Sequence, residues 1–175
     1  MDDSGYIKIG AVGSKSGTAW DEKGRTKIVQ IFVSHDEEIN SIQFQYAENG
    51  SLVLSDSFGH NEGYKFDVVQ VTLNYPSEYI TSVSGHKSYN NGRLNSLTFG
   101  TNKGEYGPYG RSSSHDKEFS FRLGNDRQFG GFHGTADSDT VRSIGVYLKP
   151  AITLDSFRKS EKVVKADESW EMLHE

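Results

Sequence analysis

The chain has 175 residues, of which 34% are hydrophobic and 12% aromatic, with 19 glycines against 3 prolines; few aliphatics beside many aromatics and glycines favour an all-β domain with numerous tight turns. Its 19 basic and 24 acidic side chains give a net charge of −5 without a basic block, which disfavours nucleic acid as a partner. The absence of cysteine excludes disulfides and thiolate metal sites, no apolar run is long enough for a membrane span, and the acidic start Met1-Asp2-Asp3 lacks a secretory signal, so a cytoplasmic protein is expected.

From the N-terminus, short runs with period-two alternation or β-branched and aromatic enrichment predict strands at 6–9, 27–34, 39–47 and 52–55. Within 39–47, Ile42, Phe44 and Tyr46 face one side and Gln43 and Gln45 the other. Asn49-Gly50 follows directly, and its tolerance of positive φ fits a two-residue hairpin turn. The sequon Asn49-Gly50-Ser51 is read as that turn. Further runs predict strands at 66–73, 80–84, 94–101, 106–107, 118–122, 129–133 and 143–148, punctuated by Asn91-Gly92 and Lys103-Gly104.

No amphipathic helical window precedes Pro150, so the elements suit a sandwich, a barrel or a prism of small sheets. After Pro150 the β pattern stops. The chain thus divides into a domain over 1–150 and a tail over 151–175, expected to be disordered or partly helical. Trp170, Met172 and Leu173 form the only bulky cluster near the end of that tail, a candidate interaction segment.

Catalytic chemistry finds little support. The histidines are dispersed without metal-ligand spacing, and no Gly-x-Ser-x-Gly elbow or phosphate-binding loop occurs. Asp137 and Asp139 lack the further oxygen ligands that a cation needs. A non-enzymatic protein without metal or cofactor is expected.

Four stretches, in order and spacing, resemble jacalin-related plant lectins. They are Ile7-Lys8-Ile9-Gly10 with the glycine-rich loop from Gly13 to Trp20-Asp21, then Ile80-Thr81-Ser82-Val83-Ser84-Gly85, then Leu97-Thr98-Phe99-Gly100 leading to Tyr106-Gly107-Pro108-Tyr109-Gly110, and finally Gly130-Gly131-Phe132-His133-Gly134 with Ile144-Gly145-Val146-Tyr147-Leu148. The resemblance implies an all-β fold, a β-prism of three four-stranded Greek-key sheets. It also implies binding of mannose- or glucose-type glycans or glycoproteins without a cofactor, membership of the cytosolic mannose-type branch, and self-association. The phrases Ser41-Ile42-Gln43-Phe44-Gln45 and Leu52-Val53-Leu54-Ser55-Asp56 further resemble jacalin-like plant proteins that restrict virus movement. That likeness implies a role in plant antiviral defence, with host or viral defence proteins as partners.

In the family, a glycine N–H from the first loop and a Gly-x-x-x-Asp loop grip the sugar. Gly17 matches the first role. In the second loop Ser138 stands at the motif glycine and Arg142 at the aspartate. Arginine has donors and no acceptor, so it cannot replace a carboxylate. The acceptor role then falls to Asp139 or Asp137, with Thr140 and Val141 beside them, while Arg142 either pairs with Asp139 or favours an anionic partner. A third loop, through Gly85, His86, Lys87 and Tyr89, is the expected source of side contacts. The alternative reading is a non-enzymatic protein-interaction module with a degenerate sugar site.

Overall fold

The computed structural model describes residues 5–60, 67–152 and 154–172. In chain order the strands are β1 (Ile7–Gly13), β2 (Thr18–Asp21), β3 (Ile28–His35), β4 (Ile39–Glu48), β5 (Ser51–Leu54), β6 (Phe58–Gly59) and β7 (Asp67–Thr72). They continue as β8 (Ile80–Lys87), β9 (Leu94–Thr101), β10 (Gly104–Gly110), β11 (Lys117–Arg122), β12 (Phe129–Ala136) and β13 (Val141–Leu148). Helix α1 (Leu154–Met172) follows.

The strands form three antiparallel sheets with one repeated plan. Sheet A runs β1-β13-β12-β2, sheet B β5-β4-β3-β7, and sheet C β10-β9-β8-β11. Each has a hairpin at its centre and one later or earlier strand on either flank. In sheet B, β5 pairs with Gln45 to Glu48 of β4 and β6 with Ser41 and Ile42. The two short strands therefore share one lane, and the sheet is four lanes wide. The equivalent edge strands are also interrupted, by register shifts between Ile9 and Val12 in β1 and between Tyr106 and Tyr109 in β10. Such irregularities bend an edge strand and raise its twist, as three sheets enclosing one core require.

The repeat extends to single residues. A Cβ on Gly13, Gly59 or Gly110 would overlap the carbonyl oxygen of Arg142, Asn40 or Asn95 respectively. In each case the next residue's N–H donates to that same carbonyl: Ser14 to Arg142 at 2.9 Å, His60 to Asn40 at 2.8 Å, Arg111 to Asn95 at 2.9 Å. Arg142, Asn40 and Asn95 are thus equivalent positions, one per sheet.

The core explains the aromatic content. Phe132 is fully buried and stacks on Phe44 of sheet B at 4.8 Å, meets Phe99 of sheet C edge-on at 6.1 Å, and packs on Phe129 at 4.8 Å. Offset and edge-on pairs each add about 0.5–1.5 kcal/mol beyond their burial, so this one ring ties the three sheets together. Trp20 of β2 stacks on Phe58 of β6 at 4.6 Å. Neither β2 nor β6 was expected from sequence, because each is too short to show a period. The expected strand at 106–107 extends to Gly104–Gly110; Pro108 hides it, yet sits harmlessly at a bulge on an edge strand. Phe66, expected to open β7, lies outside the described residues, as does Leu173. Trp170 and Met172 fall within α1. Leu154, Phe157, Val163 and Val164 of α1 are exposed. Among the described residues no helix is long and apolar enough to cross a membrane.

Candidate functional site

The β1–β2 loop and the β12–β13 loop meet at one end of sheet A. Pairing of Ala136 with Thr18 brings Gly17 against the end of β12, at φ +94°, where a Cβ would lie 2.6 Å from the Ala136 oxygen. Only glycine fits there, because the position combines positive φ with backbone contact. Besides the Ser14 N–H bond to Arg142, Thr135 Oγ1 donates to Ser14 O at 3.2 Å and shares a 2.7 Å hydroxyl pair with Ser143. The two loops are therefore stitched into one unit.

Within residues 137–140 the Asp137 carboxylate organises the turn. Its Oδ1 accepts from the N–H groups of Asp139 at 2.8 Å and Thr140 at 2.9 Å, and the Asp137 N–H donates to Thr140 O at 3.1 Å. Its Oδ2 accepts from Arg142 Nε and Nη2. Partial burial alone would raise this carboxyl, but the two N–H groups and the guanidinium outweigh it and hold Asp137 below the ordinary carboxylate value. Both oxygens are thus spent inside the protein.

Arg142 therefore pairs with Asp137, not with Asp139 as one sequence expectation had it. The reason is turn geometry: the backbone bonds from Asp139 and Thr140 draw the Asp137 carboxylate inward, while Asp139 sits exposed at the tip. Among the described residues the Asp139 side chain has no partner. Thr140 is 4% exposed with its hydroxyl unpartnered, and Val141 is wholly buried in the core, so Val141 can offer a ligand only its backbone.

The third expected loop divides. His86 lies within β8, its Nδ1 2.7 Å from Ser96 Oγ, and lines a groove on the outer face of sheet C with Glu105 and Glu118. It is not brought to the loop cluster. Lys87 is closer: its Cε lies 3.5 Å from where a Gly92 Cβ would stand, and Ser14 is 3.9 Å from the same point. The β8–β9 loop therefore abuts the β1–β2 loop through Gly92. Tyr89, in that loop, is exposed, and its N–H donates to Asp116 Oδ1 at 3.2 Å.

Sequence reasoning missed the Ser14–Thr135–Ser143 stitching, whose only sequence signal is the small residue before Ile144-Gly145. It also missed a polar cleft on the far side of the β8–β9 loop, lined by residues from 36 to 116. No local motif could have grouped residues so far apart in the chain.

The family model described as the jacalin-like lectin domain matches residues 9–147. Restricted TEV Movement 1 of Arabidopsis thaliana is 48% identical over 158 residues, covering 85% of this chain and 90% of that protein. Jacalin-related lectin 2 of the same plant is 43% identical over 165 residues, covering 85% of this chain and 89% of its own. Among solved structures, a mannose-specific jacalin-related lectin from Morus nigra in complex with mannose superposes with a TM-score of 0.72 at 33% identity, covering 86% of this chain and 98% of that one.

Proposed function

Because the chain belongs to the jacalin-like lectin family, we propose that it is a non-enzymatic carbohydrate-binding protein taking mannose- or glucose-type glycans at the Gly17–Asp139 end of sheet A. The unpaired Asp139 carboxylate carries the reading. A carboxylate accepts from two adjacent sugar hydroxyls at once, and such charge-assisted bonds are about twice as strong as neutral ones. Asp137 cannot serve, since both its oxygens are engaged. The mannose-bound Morus nigra relative supports the ligand class.

The site is weak by construction. Arg142 supplies no acceptor, and an exposed tip carboxylate must lose rotamer freedom to bind. Titration calorimetry with methyl α-mannopyranoside tests the reading: millimolar affinity, lost in Asp139→Ala, is expected. No heat at saturating sugar would sink it.

Likeness to Restricted TEV Movement 1 supports a role in limiting virus movement in plants. A second reading, protein assembly in that defence with host or viral proteins, is favoured by the exposed Leu154, Phe157, Val163 and Val164 on α1. Deleting residues 151–175 distinguishes the two. Virus restriction lost while sugar binding persists supports assembly through the helix; restriction unchanged removes that reading.

A further inference from the structure

The three crossings between sheets converge at the end of the prism opposite Gly17. Thr26 and Lys27 lie between sheets A and B, Tyr75 to Tyr79 between B and C, and Arg127 between C and A. Together with Lys149, just past β13, they line a pocket of about 210 Å³. Strand β12 fixes its place, starting at Phe129 in the pocket and ending at Ala136 beside Gly17. At about 3.3 Å per residue, the two ends of that strand are about 23 Å apart.

The pocket has an apolar wall and a cationic rim. Ile80 and Phe129 are almost wholly buried at its floor, and Tyr75, Pro76 and Tyr79 stand more exposed beside them. Lys27, Arg127 and Lys149 are exposed, and none has a carboxylate partner among the described residues. Glu78 also lines the pocket, but its oxygens are engaged. Oε1 accepts from the Asn74 N–H at 2.9 Å, and Oε2 from Thr101 Oγ1 at 2.7 Å and Tyr106 OH at 2.8 Å. The rim therefore holds three free cations against one satisfied carboxylate.

Arg127 adds an independent sign. Its φ is 55°, a conformation that a long side chain adopts only at a cost. Its Cζ lies over the Tyr79 ring, 4.1 Å from the centroid, and Tyr79 OH donates to Asn125 O at 2.6 Å. Tyr79 thus pins a strained loop so that a cation stands on the pocket wall. Strain of this kind collects at ligand clamps.

We propose that this pocket binds an acidic peptide segment of a partner protein, which inserts one aromatic side chain while its flanking carboxylates meet Lys27, Arg127 and Lys149. Size decides the class: about 210 Å³ falls below small-molecule sites, about 300–1,000 Å³, and suits a single large side chain. Aromatic anchors in such pockets dominate peptide and protein interfaces. A bare polyanion would satisfy the rim and leave the apolar wall in water. Because the whole chain carries −5, only this local cluster can draw an acidic ligand.

Fluorescence anisotropy of the fluorescein-labelled peptide Asp-Glu-Asp-Trp-Glu-Asp, titrated with the full chain, tests the proposal. Saturable binding is expected, weakening as NaCl is raised. Replacing the peptide's Trp by Ala should weaken it about tenfold or more, as loss of an anchor does. Lys27→Gln and Lys149→Gln should each weaken it about twofold to fivefold, the worth of an exposed ion pair. Arg127→Gly separates binding from folding. Glycine suits the positive φ, so the melting temperature should hold or rise while peptide affinity falls. Methyl α-mannopyranoside should leave the peptide bound; displacement by it would put the peptide at the Gly17 loop and overturn the proposal. Equal binding of the Ala peptide would reveal a surface for polyanions at large and overturn it too. So would binding indifferent to all three variants, or no binding at low salt. None of these outcomes bears on sugar binding at sheet A.

Discussion

Arg142 donates from Nε and Nη2 to one oxygen of Asp137, whose other oxygen holds the N–H groups of Asp139 and Thr140. The guanidinium thus neutralises the Asp137 carboxylate beside the Gly17 loop and leaves Asp139 as the unpaired carboxylate of the turn among the described residues. Reversing that arrangement should restore a strong site. In Asp137→Asn/Arg142→Asp, the Asn side-chain oxygen keeps the two backbone bonds, and the new carboxylate faces no neighbouring negative charge on Asp137. Affinity for methyl α-mannopyranoside should rise about tenfold or more by calorimetry, the worth of a hydrogen bond to a charged group. An unchanged or lower affinity would show that position 142 does not face the sugar.

Gly17→Val is the obvious way to block the first loop, and it should act on the fold before it acts on the ligand. The new Cβ meets the Ala136 carbonyl at 2.6 Å at a φ of +94°, a conformation costing about 1–3 kcal/mol for a side chain. For a domain of this size that corresponds to a melting point lower by about 2–4 °C per kcal/mol. Differential scanning calorimetry decides: a melting point equal to the wild type would mean that the loop relaxes freely, and then lost binding in this variant would localise the site.

Much of the prism was legible because its long strands alternate cleanly, as Ile42, Phe44 and Tyr46 do, and because the β4–β5, β8–β9 and β9–β10 turns carry glycine or asparagine. The strands β2 and β6 were not, since four and two residues are too few for a period and owe their place to Trp20 and Phe58 stacking across sheets. At the site, the residue types were readable and the pairings were not. Spacing put Arg142 three residues from Asp139 and five from Asp137, and proximity in sequence favoured the wrong partner. What decided the matter was the backbone turn, which aims Asp137 inward. His86 failed for a related reason: β8 runs on to Lys87, so His86 is a sheet position bonded to Ser96 and not a loop residue.

The two partners of the ion pair should be unequal in stability. Asp137→Ala strands two backbone N–H groups and the guanidinium, and should cost about 2 kcal/mol, as loss of a cap does. Arg142→Ala leaves Asp137 satisfied by those N–H groups and should cost about 1 kcal/mol. With side chains only 15% and 26% exposed, the pair is less screened than a surface bridge. Urea unfolding of both single variants and the double variant should give a coupling of about 1 kcal/mol. Zero coupling would mean that the pair contributes nothing to the turn.

Asp116 should impose a pH dependence on the cleft loops. The Ser113 N–H first, then the Asn95 amide and the Tyr89 N–H, outweigh the burial of its carboxyl and pull it from 3.8 down to about 2. A folded value below the unfolded one means that the unfolded chain takes up the proton first. The stabilisation is therefore complete above 3.8 and is lost as pH falls toward about 2. Asp116→Asn keeps an acceptor oxygen but carries no charge, so it should be less stable than the wild type near neutrality, and the gap should narrow through that window. Urea denaturation of the two proteins across acid pH measures it. A gap that stays constant down to the low end of the window would assign the effect to shape rather than charge, and the loops around Asn95 and Tyr89 would then be held by something other than this carboxylate.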